Sequence, residues 1–140
     1  MIESFLQYIT YEKRYSAHTV SSYGGDLAQF NQFLQSTLGV ESPEHADHGM
    51  VRSWVVHLRD HGLARRSINR KLITLRSFYR FLIKRGVTRQ NPAANVRALK
   101  IPGTLPQFIR QEEMTQLLDQ IRFAEDFAGV RDKLVFEMLY

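Results

Sequence analysis

Apolar residues recur along most of the chain at intervals of three and four, the spacing that places them on one face of an α-helix. Ile2, Phe5, Leu6 and Ile9 predict a short first helix ending near Lys13 and Arg14, cations suited to a helix C-terminus. Ser16 stands where an N-cap belongs, and Val20, Tyr23, Leu27, Phe30 and Leu34 carry a second helix to about Leu38, with Gly39 as its stop. Gly24 and Gly25 lie inside it and cost on the order of 2 kcal/mol together relative to alanine, so a kink or a close helix crossing is expected there. Ser42 and Pro43 mark a loop. A third helix follows on Met50, Val51, Trp54, Val55 and Leu58, capped by Asp47 and closed by Gly62. No strand pattern competes with these helices.

The strongest periodicity runs from Ser67 to Arg85 and ends at Gly86. At 100° per residue, Ile68, Leu72, Leu75, Phe78, Tyr79 and Leu82 fall within an arc of roughly 120°, the width of a core-facing stripe. Arg65, Arg66, Asn69, Arg70, Arg76, Ser77, Arg80 and Lys84 occupy the opposite arc of roughly 140°, interrupted near its middle by Ile73. That face must meet solvent or an anion. Lys71 projects on the other flank, where it is expected only to snorkel.

From Val87 to Pro106 the periodicity lapses, and Asn91-Pro92-Ala93, Pro102, Gly103 and Pro106 exclude a continuous helix. An extended linker and a domain boundary are expected here. Beyond it, Met114, Leu117, Leu118 and Ile121 predict a helix with Glu112 and Glu113 in its first turn. Leu134, Val135, Phe136, Met138, Leu139 and Tyr140 predict a last helix apolar around most of its circumference. Such a helix suits the centre of a larger core, so the chain is expected to be cut from a longer protein.

Charge sharpens this division. Residues 1 to 100 hold 15 Lys or Arg against 7 Asp or Glu, a balance of +8; residues 101 to 140 hold 4 against 7, a balance of −3. Between Asp60 and Glu112 there is no acid, yet twelve Lys or Arg. A solvated helix face normally mixes signs and gains from i,i+4 pairs, whereas a face of cations alone repels itself unless it meets an anion. Duplex nucleic acid is the partner this pattern points to first. Arginine suits bidentate contacts to guanine or phosphate, Asn69 suits adenine, and Ser77 suits a phosphate.

Other chemistry is thinly represented. The absence of cysteine excludes disulfides, a thiolate metal site and a cysteine nucleophile. No run reaches the roughly 20 apolar residues of a membrane span, and no secretory leader opens the chain, so a cytoplasmic location is expected. His57 and His61 lie four apart, and His45 and His48 three apart, but no H-E-x-x-H pattern accompanies them, and they read as surface histidines. Tyr8, Tyr11 and Tyr15, like Tyr23, Phe30, Phe33 and Trp54, read as structural aromatics.

Several segments resemble a known family in order and spacing. Ser16-Ala-His-Thr19-Val-Ser-Ser-Tyr23-Gly-Gly-Asp26-Leu27, with Phe30 and Phe33-Leu34, resembles the S-x-x-T-x-x-x-Y-x-x-D-L opening of phage-integrase-like tyrosine recombinases of the Xer type. Ser67-Ile-Asn-Arg-Lys-Leu with Leu75-Arg-Ser-Phe-Tyr-Arg-Phe-Leu is similar to the family's fourth helix, and Asn91-Pro92-Ala93 to its linker. Leu105-Pro106 before Glu112-Glu113-Met114 is similar to the entry into its catalytic domain, and Arg131-Asp132 through Leu139-Tyr140 to the helix preceding its first catalytic arginine. Gly24-Gly25 departs from the pattern.

The resemblance implies an all-α protein: a four-helix SAM-like core-binding domain over residues 1–88, a linker over 89–107, and over 108–140 the first helices of a truncated catalytic domain. It implies double-stranded DNA and other recombinase subunits as partners, no membrane, and neither metal nor nucleotide cofactor. The family's catalytic arginines, lysine, histidines and nucleophilic tyrosine match no position here, and Tyr140 falls in the helix before the first arginine, so the chain itself is expected to bind DNA without cutting it. Ser16 and Thr19, at the start of helix two, are implied phosphate contacts, where the dipole and hydroxyls favour an anion; capping alone also accounts for Ser16. Two other readings stay open at this point: a helical module whose basic face meets an acidic protein, and a helix-turn-helix regulator.

Overall fold

The computed structural model describes residues 1–103 and 120–139. Every regular element among the described residues is helical. The chain forms two compact units, Met1–Pro102 and Gly103–Tyr140.

In the first unit, α1 (Ile2–Gln7) passes directly into a π-helical turn, Tyr8–Glu12, so the expected first helix is present but widens in its second half. Thr10 Oγ1 donates to Leu6 O at 2.7 Å across this turn. Arg14 then adopts a left-handed conformation, φ 53°, which turns the chain into α2 (Ala17–Leu38). Ser16 is the cap of α2: its Oγ accepts from Thr19 N at 3.3 Å. Gly39, left-handed at φ 67°, ends it.

α2 runs unbroken through both interior glycines. Gly24 lies beside α1, where a Cβ would make ordinary van der Waals contact with Leu6 Cδ1 at 3.4 Å, whereas a Cβ on Gly25 would meet nothing within 4 Å. The helix is not interrupted at the pair, and neither glycine sits at an approach too close for a Cβ.

A 3-10 turn, Pro43–His45, precedes α3 (His48–Asp60). Asp47 caps α3 by accepting from Met50 N at 2.8 Å. α4 (Arg65–Lys84) begins two residues earlier than the periodicity predicts, and Gly86, φ 71°, follows its end. Gln29 of α2 meets Lys71 of α4, Asp26 meets Thr74, and Glu12, just before α2, lies 4.0 Å from Lys84. The two helices are therefore antiparallel, and the N-terminus of α2 shares an end of the unit with the C-terminus of α4.

The core gathers Phe5, Leu27, Phe30, Trp54 and the six apolar positions of α4 singled out by the wheel, all buried. Phe5 packs edge-on to Phe78 with ring centres 5.5 Å apart, and Phe30 lies 4.9 Å from Trp54, spacings at which aromatic pairs attract beyond their area burial. Tyr79 Oη donates to Pro43 O at 2.7 Å. Burial, and secondarily the Glu44 carboxylate, holds this phenol far above its ordinary range, so it acts as a fixed donor that ties α4 to the 3-10 turn.

The segment after α4 does not behave as a free extended linker. Ala93 and Val96 are buried in the same core, and the first compact unit continues to Pro102. Asn91 Oδ1 accepts from Ala93 N at 3.0 Å, closing a tight turn over Pro92, and His48 Nδ1 lies 3.2 Å from Pro92 O.

In the second unit, α5 (Phe127–Leu139) follows a bend in which Asp126 Oδ1 accepts from Gly129 N at 2.8 Å. Phe136 packs on Phe123 at 5.9 Å, while Phe127, Val130, Leu134 and Met138 are exposed. The helix expected on Met114, Leu117 and Leu118 lies outside the described residues, as does Tyr140.

Candidate nucleic-acid interface

The polar arc of α4 divides into two stripes that do different things. Arg65, Asn69 and Arg76 form the first, on the flank facing residues 91–100. Arg76 Nε donates to Ala93 O at 3.1 Å and its Nη2 to Val96 O at 2.7 Å, while Asn91 Nδ2 donates back to Arg76 O at 3.1 Å. The Asn69 amide pairs in both directions with Leu99, donating to its O at 2.9 Å and accepting from its N at 2.8 Å. Arg65 Nη1 donates to Lys100 O at 2.9 Å. Three side chains predicted to face solvent or an anion thus staple the following segment onto the helix, satisfying main-chain groups that no regular element pairs.

Arg66, Arg70, Ser77, Arg80 and Lys84 form the second stripe. Their i+4, i+7, i+3, i+4 spacing puts them, with Ile73, within roughly 80° on the side of α4 opposite the core. Arg66, Arg70, Arg80 and Lys84 are exposed and Ser77 is half-buried. Arg66 and Arg80 donate no hydrogen bond among the described residues. Lys84 lies 5.1 Å from the centre of the Tyr8 ring and at the limit of an ion pair with Glu12, a solvent-exposed contact that leaves the ammonium free to exchange partners.

Arg70 belongs to the outward stripe and is also anchored from beneath. Asp26, 2% exposed, accepts from Arg70 Nη1 at 2.6 Å and Nη2 at 2.9 Å, from Lys71 Nζ at 2.8 Å and from Thr74 Oγ1 at 2.8 Å. Lys71 completes its set on Gln29 Oε1 at 2.6 Å. Lys71 is therefore buried and paired, where the wheel predicted a snorkelling surface lysine. A bidentate fork holds the guanidinium plane in one orientation, and the side chain remains 46% exposed on its outer edge.

Neither Asp26 nor Lys71 was among the residues the basic face suggested. The signal lay in α2: Asp26 shares the i, i+4, i+7 line of Phe30 and Phe33, so a carboxylate occupies a core-facing position and requires buried cationic partners.

Ser16 and Thr19 lie at the end of α2 that meets the C-terminal end of α4. Their hydroxyls are 2.9 Å apart, and the first turn of α2 holds no acidic residue. The His57 and His61 rings lie tilted by 41° with centres 4.1 Å apart, and His61 Nδ1 lies 2.8 Å from His57 O. Among the described residues no group of three or more His, Cys, Asp or Glu could hold a metal ion, and no helix is long and apolar enough to cross a membrane.

The helical unit that carries these residues coincides with the segment matched by a known domain family. Residues 2–86 match the phage integrase N-terminal SAM-like domain, and the chain belongs to that family. Over its whole length it is 37% identical to tyrosine recombinase XerC of Pediococcus pentosaceus, and over 99% of its length 38% identical to XerC of Staphylococcus carnosus. It is 36% identical to tyrosine recombinase XerD of Chlorobaculum tepidum, again over 99% of its length. In each case it spans 46% of the relative, a little under half.

Proposed function

We propose that these 140 residues are the DNA-gripping part of a site-specific tyrosine recombinase, with the outward stripe of α4 laid against the duplex. The observation that carries this reading is the line of Arg66, Arg70, Arg80 and Lys84 on the face opposite the core. Arg66 and Arg80 have no carboxylate partner among the described residues, Arg70 shares Asp26 with Lys71, and Lys84 has only a 4.0 Å exposed contact with Glu12, so the row keeps a net positive charge that an anionic lattice would neutralise. Arg70, held in a fixed plane by Asp26, reaches its partner already oriented and loses less rotamer freedom on binding. The hydroxyls and dipole at the start of α2 add a phosphate contact at the same end as Arg80 and Lys84.

In this reading the chain binds and positions, and the chemistry belongs to the intact recombinase. There a tyrosine attacks the scissile phosphate to give a phosphotyrosyl link, with other recombinase subunits completing the exchange and neither metal nor nucleotide required. The test is equilibrium binding of the chain to a fluorescently labelled duplex across a salt series. Four to five neutralised phosphates give a log–log slope of about −4. Negligible duplex binding at low salt, with retained binding to a polyglutamate peptide, would replace DNA by an acidic protein partner.

A further inference from the structure

Ile73 sits at the centre of the outward stripe, with Arg70 and Ser77 one turn away on either side and Arg66 and Arg80 two turns away. Its side chain is 53% exposed and lies outside the core. Nothing in the folding of α4 calls for isoleucine here: a β-branched residue is a poorer helix former than alanine, lysine or arginine at a solvent-facing position. The stripe is otherwise wholly polar, and the helix fills the core with seven other apolar residues, none of them in the stripe.

The placement fits one feature of duplex DNA. The major groove, about 12 Å wide, admits an α-helix, and the stripe from Arg66 to Lys84 spans about 27 Å along the axis, enough to put cations against phosphates at both rims while its middle faces base edges. Arginine, serine and lysine read hydrogen-bonding edges or phosphates. The only apolar group that a standard base pair displays in that groove is the C5-methyl of thymine. We propose that Ile73 is the specificity contact of this helix, packing on a thymine methyl at the centre of the bound site. This rests on the DNA-binding reading above and goes beyond it by assigning a base and a residue.

The test isolates the methyl group. A binding duplex is selected from a randomised pool, and each thymine is replaced singly by uracil, which removes the methyl and leaves every hydrogen-bonding edge intact. One such replacement is expected to weaken binding of the wild-type chain about fourfold, the value of one buried methylene-sized group. Ile73→Ala is expected to bind the thymine and uracil duplexes equally, with an unchanged salt slope and an unfolding midpoint no lower than wild type. If every uracil duplex binds like its parent, or the uracil effect persists undiminished in Ile73→Ala, while salt-dependent duplex binding remains, the assignment of Ile73 falls and the DNA reading stands. Loss of all duplex binding by the wild-type chain overturns both.

Discussion

At the scale of single residues, the decisive contacts join positions far apart in sequence. Asp26 is surrounded by three donors from α4, two of them cationic, so removing its charge strands a buried ammonium. Asp26→Asn is therefore expected to lower the unfolding free energy by about 3 kcal/mol, read from urea denaturation. Arg70→Ala costs less, because its guanidinium opens to solvent and its charge is partly screened. A loss below about 1 kcal/mol in Asp26→Asn would mean that the network is not needed for the fold. None of this was visible on a helical wheel of α4, which gives the angle of each side chain and not what lies beside it. For the same reason Arg65, Asn69 and Arg76 were indistinguishable from Arg66 and Arg80 until the path of residues 91–100 was known.

Tyr79 makes a second prediction at this scale. Its folded-state phenol titrates above the ordinary value of 10.0. Below pH 10 both folded and unfolded chains hold the proton and stability is unaffected. As pH rises past 10 the unfolded phenol ionises while the buried one does not, so stability falls by on the order of 1 kcal/mol per pH unit. Denaturation series at pH 9 and pH 11 should show a smaller alkaline loss in Tyr79→Phe than in wild type. Equal losses would place the alkaline sensitivity elsewhere.

At the scale of elements, local chemistry was a reliable guide wherever it acts within a few residues. Ser16 and Asp47 accept the expected cap hydrogen bonds, and Gly39 and Gly86 take the left-handed conformations that end α2 and follow α4. The π-helical turn after α1 was not legible, because its apolar spacing differs too little from that of an α-helix. Asn91-Pro92-Ala93 misled for a physical reason: proline and the lapse of periodicity report the end of a helix and say nothing of whether the following segment is stapled down. The Gly24-Gly25 pair separates into one position in contact range of Leu6 and one open position. Gly25→Ala is expected to raise the unfolding free energy by about 0.5–1 kcal/mol, since the new Cβ meets nothing and the helix gains propensity. A destabilised Gly25→Ala would show that α2 needs the glycine's backbone freedom.

At the scale of the whole molecule, charge distribution and fold class were the parts most directly readable: an excess of cations without acids from His61 to Gln111, all of it but Arg110 within a first unit whose regular elements are helical. What folding adds is a sorting of those cations. On α4 one stripe is turned to hold residues 91–100 and one is left outward, and it is the second that the proposed function lays against a duplex. The measurement that tests this sorting most directly is the salt dependence of duplex binding for wild type, Arg66→Ala/Arg80→Ala and Arg76→Ala, alongside their unfolding midpoints. Removing the two outward arginines should flatten the log–log slope by about 2 with little change in stability, whereas Arg76→Ala should lower stability and leave the slope near that of wild type. An unchanged slope in Arg66→Ala/Arg80→Ala would contradict the account and move the DNA contact off the outward face of α4.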